Sequence, residues 1–168
     1  MIIKYHIQDR QTGKTTSLVK EFLKVPDETV FICFNNDNKK HIVNLVGDSF
    51  KNRVVSMTEI IDTNFSQLKG LIINKILIDE YDFIKNKKSL TINNLLPNFY
   101  DFRACEIIIK TTRKNNLMLA QTLSASNVIV DLSNVDIDQK DRDEINDLCN
   151  DLISSRYTKI YDKNGLLQ

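Results

Sequence analysis

The chain has 168 residues, of which 42% are hydrophobic and 27% are charged, and its formal net charge at pH 7 is +1. This length suits one domain with a substantial core, and the composition is that of an ordinary globular protein, not of a disordered or fibrous one. A net charge so near zero does not by itself require a polyanionic partner such as nucleic acid, although local basic patches can still bind one.

The cysteines and the apolar runs bear on the compartment. Cys33, Cys105 and Cys149 are widely spaced and form neither a metal-binding pattern nor an even set for disulfides. No apolar run approaches the roughly 20 residues of a membrane span, and the first residues carry no cleavage pattern of a signal peptide. We therefore expect a cytoplasmic protein, in the host cytoplasm if it is viral, with reduced thiols and no membrane contact.

The first half of the chain alternates between predicted strands and helices. "MIIKYHI" is the first strand, and "TTSLVKEFLK" is a helix that Pro26 and Asp27 end. After the strand "ETVFICF" and a polar "NNDNKK" come a helix around "HIVNLV" and a short strand near "RVVSM". Thr58 is expected to cap a helix over "TEIIDTNFSQLK", which Gly70 ends.

The second half continues the alternation. "KILIDE", "EIIIKTT" and "NVIVDL" are predicted strands, the last of them the final strand, and "SLTINNLLPNFY" is an ambiguous piece that favours a helix. The acid-rich tail "DIDQKDRDEINDLCNDLISSRY" is predicted as an amphipathic helix. Continuous apolar strands between helices are typical of a parallel sheet covered on both faces. We therefore predict an α/β fold that forms a single domain over residues 1–168.

The segment "IQDRQTGKTT" ends as a phosphate-binding loop does. The Walker A loop reads G-x-x-x-x-G-K-[ST], and Gly13, Lys14 and Thr15 supply its last three positions, whereas Gln8 stands in place of the first glycine. Backbone N–H groups of such a loop wrap a phosphate, the lysine reaches the terminal phosphates, and the hydroxyl binds Mg²⁺. We expect ATP and Mg²⁺ as cofactors. The predicted nucleotide-binding residues are Asp9, Gln11, Thr12, Gly13, Lys14, Thr15 and Thr16. The competing interpretation is an ordinary helix start, capped by Thr12, with an exposed lysine.

A second motif strengthens the nucleotide-binding interpretation. "KILIDE" is a strand that ends in Asp79 and Glu80, which is the Walker B form: the aspartate faces the Mg²⁺ shell and the glutamate the attacking water. A glutamate in that place indicates the P-loop subgroup that hydrolyses ATP to drive movement. In that subgroup an additional strand lies between the two motif strands. "EIIIKTT" is the candidate for it, with Thr111 and Thr112 as the residues that sense the terminal phosphate.

These motifs resemble those of bacteriophage large terminases, the motors that pump DNA into capsids. "DRQTGKTT" looks like their variant Walker A loop, "ILIDEYDFI" like their Walker B segment, and "IIIKTTR" like their coupling motif, in the same order. The resemblance implies a P-loop NTPase-like parallel sheet sandwiched between helices. It also implies that Arg10 contacts the γ-phosphate of the nucleotide bound to its own chain. With Lys14 and Glu80 of the two Walker motifs, Arg10 completes the predicted catalytic residues.

The sequence departs from the terminases at both ends. The P-loop strand starts at Met1, without the upstream segment that recognises adenine, so the base specificity is open. We expect no nuclease domain, and we expect the acidic residues of the tail on the solvated face of a helix. The resemblance implies a lone ATPase core of the DNA-packaging or helicase-like type. Its candidate partners are DNA and viral or mobile-element proteins. Because many such motors work as rings, a homo-oligomer also fits.

Short basic runs on predicted loops are candidates for nucleic-acid contacts, since lysines and arginines bind phosphates. They include Lys39, Lys40, Lys87, Lys88, Arg113 and Lys114. The competing interpretation is that such runs are solvated loops. His6 and His41 are expected to be structural or solvated, without a pairing partner.

Two other functions remain open at this point. "IDEYDF" also resembles the strand end of thymidine kinases, where the glutamate is the base for a nucleoside hydroxyl, although the zinc-binding cysteines and the lid of those enzymes are not apparent. The third interpretation is a regulatory protein that binds ATP without hydrolysing it and recruits partners in that state.

Overall fold

A computed structural model describes residues 2–8, 11–79, 104–111, 127–133 and 158–166. Its helices and strands alternate for most of this length, as the apolar pattern predicts. In chain order they are β1 (Ile2–Ile7), α1 (Lys14–Phe22), β2 (Thr29–Cys33), α2 (Asn36–Val46), β3 (Val54–Ser56), α3 (Met57–Thr63), β4 (Lys75–Ile78), β5 (Glu106–Thr111), β6 (Asn127–Asp131), β7 (Thr158–Asp162) and β8 (Gly165–Leu166).

The strands form one sheet of eight, in the order β3-β2-β4-β5-β1-β6-β7-β8. Each neighbouring pair is parallel except β7 with β8, which is antiparallel. The α/β class and the mostly parallel sheet are therefore confirmed. The predicted additional strand, β5, pairs with β1 on one side and with β4 on the other. It thus separates the strand that precedes the loop from the strand that precedes Asp79.

Apolar side chains cover both faces of the central strands. On one face, α1 and α2 pack against the sheet through a cluster that includes Phe22, Phe31, Leu77 and Ile108. Because successive strand residues point to opposite faces, the alternate residues of β4 and β5 face the other way, and they too are almost fully buried: Ile76, Ile78, Ile107 and Ile109. Burial on both faces explains why these strands read as continuous apolar runs.

Several predicted boundaries are wrong. Ser56, not Thr58, caps α3: its hydroxyl accepts a hydrogen bond from the Glu59 amide, and the Glu59 carboxylate accepts one from the Ser56 amide. That helix ends at Asn64, which has a left-handed φ of 46°, well before Gly70. The helix α2 begins inside the polar run that was expected to be a loop, because Asn35 caps it.

The end of the chain also differs from the prediction. Two strands, β7 and β8, follow β6, so "NVIVDL" is not the last strand. The segment "SLTINNLLPNFY" and the amphipathic tail both lie wholly outside the described residues. Within the described ranges, no helix has the length and apolar character needed to span a membrane.

Candidate functional site

The parallel topology brings the ends of β1, β4 and β5 to one edge of the sheet. These strands are adjacent and run in the same direction, so the segments that follow them leave the sheet at its carboxyl edge. Ligands of open α/β sheets bind outside this edge. The loop before α1 and the carboxylate of Asp79, two features predicted from separate motifs, therefore lie on the same edge.

Thr15 and Asp79 meet at this edge. The Thr15 hydroxyl donates a hydrogen bond to the Asp79 carboxylate, with 2.5 Å between Oγ1 and Oδ2, although 64 positions separate the residues in the sequence. The Asp79 amide donates to the Ile32 carbonyl at 3.0 Å, which continues the hydrogen bonding with β2 up to Asp79. Asp79 is only 5% exposed. The predicted pair of metal ligands is therefore brought together.

The loop before α1 contains two residues with left-handed backbone conformations. Gln11 has a φ of 60° and Gly13 a φ of 73°. A Cβ built on Gly13 would have no heavy atom of the described residues within 4 Å, so glycine here leaves open space beside the backbone. A left-handed conformation costs a residue with a Cβ about 1–2 kcal/mol, which explains why glycine stands at position 13.

The N-terminus of α1 has no side-chain cap, unlike the N-termini of α2 and α3. Its N-cap is Gly13, without a side-chain hydrogen bond, and its first turn holds no acidic residue. By contrast, Asn35 caps α2 and a capping box closes α3. Thr12 is therefore not the cap that the competing interpretation expected. The partial positive charge of a helix N-terminus attracts anions, and no acidic side chain of the first turn offsets it here.

Lys14 and Gln8 are both more buried than their types usually are. Lys14 is 9% exposed, which contradicts the exposed lysine of the competing interpretation, and the Ser17 hydroxyl donates to its carbonyl at 2.8 Å. Gln8, in the place of the first Walker A glycine, is 8% exposed, and within the described residues its Oε1 atom has no hydrogen-bond partner. Thr16 lies in the first turn of α1 and is exposed.

A row of ionisable residues crosses the sheet beside this site, and the motifs did not predict it. His6 of β1 is paired in register with Lys110 of β5 and with Asp131 of β6. The Nδ1 atom of His6 lies 2.9 Å from Oδ2 of Asp131, so the expectation that His6 has no partner is wrong. Ile78 pairs with Ile109. Asp79 and Lys110 directly follow these two residues, so they lie side by side. The row therefore runs Asp79, Lys110, His6, Asp131.

Burial and the neighbouring charges change the pKa values of the residues in this row. Burial lowers the pKa of His6 below its ordinary value, and the neighbouring Lys110 lowers it further, against the opposing effect of Asp131. Burial also lowers the pKa of Lys110, while the carboxylates of Asp131 and Asp79 act in the opposite direction. For Asp131, burial raises the pKa, but hydrogen bonds from Ser133 and the His6 contact outweigh it and lower the pKa.

Two of the candidate nucleic-acid contacts lie on α2. The Lys39 ammonium is half-buried and donates to both carboxylate oxygens of Glu59, at 2.7 and 2.9 Å. Lys40 is exposed, with Asp37 at 3.5 Å. Both line a cavity of about 380 Å³ together with Lys51 and Asp48. Lys39 is thus engaged by Glu59, whereas the ammonium of Lys40 faces solvent.

Other predicted site residues lie outside the described part of the chain. Of Thr111, which ends β5, only the backbone is described. The residues not described are Asp9, Arg10, Glu80, Thr112, Lys87, Lys88, Arg113 and Lys114. Their predicted roles in catalysis, sensing and DNA contact therefore stay predictions.

Comparison with known proteins adds no family to this picture. No protein-family model matches the chain, and no curated protein matches it either.

Proposed function

We propose that the chain binds ATP with Mg²⁺ on the loop between β1 and α1 and hydrolyses it. The observation that carries the proposal is the 2.5 Å contact between the Thr15 hydroxyl and the Asp79 carboxylate. A hydroxyl from a phosphate-binding loop and a carboxylate from a neighbouring strand are the protein ligands expected for Mg²⁺ in P-loop proteins. Since Mg²⁺ usually takes only one or two carboxylates from the protein, this small oxygen set suffices.

The loop fits the phosphates as well. The open space beside Gly13 would be narrowed by any Cβ, the first turn of α1 carries no acidic group that would repel an anion, and Lys14 supplies a cation. Bound Mg²⁺ would offset negative charge on the terminal phosphates. In the proposed reaction Lys14 holds the terminal phosphates, Glu80 orients the attacking water, and Arg10 offsets the charge that develops on the γ-phosphate.

The strand order supports the subgroup inferred from the acidic pair. β5 lies between β1 and β4, as the additional strand of ATP-driven P-loop motors does, and it ends at Thr111 beside the proposed site. We propose on this basis that the domain is of the additional-strand, catalytic-glutamate type. Thr111 and Thr112 would then sense the γ-phosphate.

The coupling of hydrolysis to DNA is the second part of the proposal, and it rests on the resemblance of the three motifs to those of terminases. The exposed Lys40, on the rim of the α2 cavity, is the described candidate for a DNA phosphate contact. If DNA is the partner, double-stranded DNA should raise the rate of ATP hydrolysis, and Lys40→Ala should weaken that response without changing the basal rate.

Hydrolysis of ATP, measured with and without DNA, tests the whole proposal. Thr15→Val should abolish Mg²⁺-dependent turnover. Thr58→Val is the matched control, because Thr58 lies in the first turn of α3, is half-buried as Thr15 is, and stands outside the site. Glu80→Gln should bind ATP but not hydrolyse it. Wild-type protein without turnover or ATP binding would contradict the proposal.

Two results of the same assay would point to the other functions. Phosphoryl transfer to added thymidine would favour a nucleoside kinase. Tight ATP binding without turnover in the wild-type protein, together with a protein partner retained only in the presence of ATP, would favour a regulatory binding protein.

A further inference from the structure

Lys110 occupies an unusual place in the row of ionisable residues at the carboxyl edge. It lies on the central strand β5, with His6 opposite it on β1 and Asp79 beside it at the end of β4. The face is the one that α1 covers, because Ile108, two positions earlier on the same strand, packs in the cluster with Leu18 and Phe22 of that helix. The helix that starts at the phosphate loop thus lies over the Lys110 side chain.

The ammonium of Lys110 has no close partner among the described residues. Other half-buried lysines of this region do: Lys75 lies 2.6 Å from Glu21 and 3.0 Å from Glu106, and Lys39 lies 2.7 Å from Glu59. Asp79 and Asp131 flank Lys110 and act on it through space, but neither forms an ion pair with it within 4 Å. A half-buried cation without a hydrogen-bonded partner is unfavourable, so its presence calls for an anion.

The length of the side chain lets Lys110 reach the phosphate-binding layer. Neighbouring strands lie about 4.8 Å apart, and Asp79, on the next strand, already reaches the Thr15 hydroxyl with a short side chain. The lysine Nζ atom is five bonds from its Cα atom, whereas the aspartate Oδ atoms are three bonds from theirs. From the same level of the sheet, the Lys110 ammonium can therefore extend at least as far toward the loop as the Asp79 carboxylate does. The through-space effect of Lys14 on Lys110 agrees with this proximity.

We propose that Lys110 is a second cation of the phosphate site, which binds the terminal phosphates of the nucleotide together with Lys14. This inference rests on the proposed function, and no Walker motif includes this position. Two ammonium groups would then face the triphosphate, Lys14 from the loop and Lys110 from the sheet. The Asp131 carboxylate of β6 contacts His6 of β1 at 2.9 Å. This contact competes with an ion pair between Asp131 and Lys110, which would hold the ammonium away from the phosphates.

The affinity for ATP and for ADP, each with Mg²⁺, tests the proposal in the full-length protein. Lys110→Met should weaken ATP binding by about tenfold or more, the effect of losing one charged hydrogen bond, and ADP binding by a smaller factor. Lys110→Arg should keep the ATP affinity within about threefold of wild type, because the positive charge remains. Lys110→Gln is a second uncharged variant, should the methionine variant fold poorly.

The matched control is Lys4→Met. Lys4 lies on β1 at the other end of the same sheet face and is paired with Glu106 at 2.6 Å, and its loss should leave both affinities unchanged. Unchanged ATP affinity in a folded Lys110→Met or Lys110→Gln protein would overturn the inference and leave the proposed function standing. Tighter ATP binding in these variants would overturn it as well. If the wild-type protein binds neither nucleotide, the proposed function fails and the inference with it.

Discussion

The two ends of the sheet face under α1 differ in how their charges are satisfied. At the amino end, Glu106 lies between Lys4 at 2.6 Å and Lys75 at 3.0 Å, and Lys75 also contacts Glu21 of α1. We call this set the amino-end network. At the carboxyl end, the helix N-terminus has no side-chain cap and Lys110 has no ion-pair partner among the described residues. Among the described residues, the charges of the amino end are paired with one another, whereas Lys110 at the carboxyl end is not, and there we propose that a ligand supplies the partner.

Under the proposed function, this difference would separate residues that stabilise the fold from residues that bind the nucleotide along the same strands. Substitutions in the amino-end network should lower the free energy of unfolding and leave nucleotide binding intact, whereas substitutions at the carboxyl end should do the reverse. Each prediction below takes one residue from the carboxyl end and, where the chain offers one, a matched residue from elsewhere.

The largest effect is expected for Asp79→Asn. Loss of the carboxylate removes a proposed ligand for Mg²⁺ and leaves only a neutral amide beside Thr15, so turnover should fall by about 100-fold to 1,000-fold, as when one preorganised group of an active site is removed. Steady-state ATP hydrolysis measures this. Glu106→Gln is the matched control, an acidic residue neutralised on the adjacent strand, and it should keep the wild-type rate. Equal losses in the two variants would contradict the division between the ends.

The second prediction concerns the stability of the amino-end network. Glu106→Gln leaves Lys4 and Lys75 facing a neutral side chain, and the loss of charged hydrogen bonds should lower the free energy of unfolding by about 2 kcal/mol. Lys110→Met should lower it by clearly less, because no ion pair of the described residues is lost. Urea unfolding measures both. A Lys110 variant as unstable as the Glu106 variant would show that Lys110 has a structural role.

The third prediction compares alanine substitutions at two glycines that both have a positive φ. Gly13 and Gly70 both have a left-handed φ, and a Cβ at either meets no described heavy atom within 4 Å. Alanine at either position should therefore cost about 1–2 kcal/mol of stability from the backbone alone. Only Gly13→Ala should also weaken ATP binding, because its Cβ would narrow the phosphate loop. Equal ATP affinity of the two variants, measured by titration, would argue against a phosphate at this loop.

The smallest effect is expected from pH, and it appears in different ranges at the two ends. Burial and Lys110 lower the pKa of His6 below its ordinary 6.5, so the unfolded chain takes up a proton first as the pH falls, and the folded state loses stability below about pH 6.5. Burial raises the pKa of Glu106, but the bonds from Lys4 and Lys75 outweigh it and lower the pKa below 4.5. The amino-end contribution is therefore present above pH 4.5 and lost as the pH falls below it.

Thermal unfolding from pH 8 to about pH 3 separates the two ranges. His6→Gln should flatten the loss of stability between pH 7 and pH 5, and Glu106→Gln should flatten the loss below pH 4.5. A wild-type profile that is level between pH 7 and pH 5, or unchanged by His6→Gln, would show that His6 keeps its ordinary pKa in the folded protein.

Features that depend on a few neighbouring residues were predictable from the sequence. The apolar runs of β2 and β5 indicate strands buried on both faces, and the parallel sheet that follows from them brings Thr15 and Asp79 to one edge. The predicted cap of α3, Thr58, instead lies in the first turn of that helix. Only the backbone conformation decides that Ser56, with Glu59 three residues later, makes the reciprocal bonds.

The row through Lys110 could not be predicted in the same way. His6 and Asp131 are 125 positions apart, and their contact follows from the strand order and from the register of β1 with β6. A sequence pattern carries no information on register between strands that are not joined by a short turn. In the sequence, Lys110 is one polar residue near a strand end. Its proposed role depends on the strand order, which places β5 beside β4 and therefore Lys110 beside Asp79.

The binding of a slowly hydrolysed ATP analogue, titrated with and without Mg²⁺, tests the central claim most directly. We expect saturable binding of one nucleotide per chain that Mg²⁺ strengthens, and we expect Thr15→Val to remove most of the strengthening while Thr58→Val keeps it. Absence of binding, or binding that is equally strong without Mg²⁺ and in the Thr15 variant, would contradict the assignment of the Thr15 and Asp79 pair as the metal-binding part of a nucleotide site.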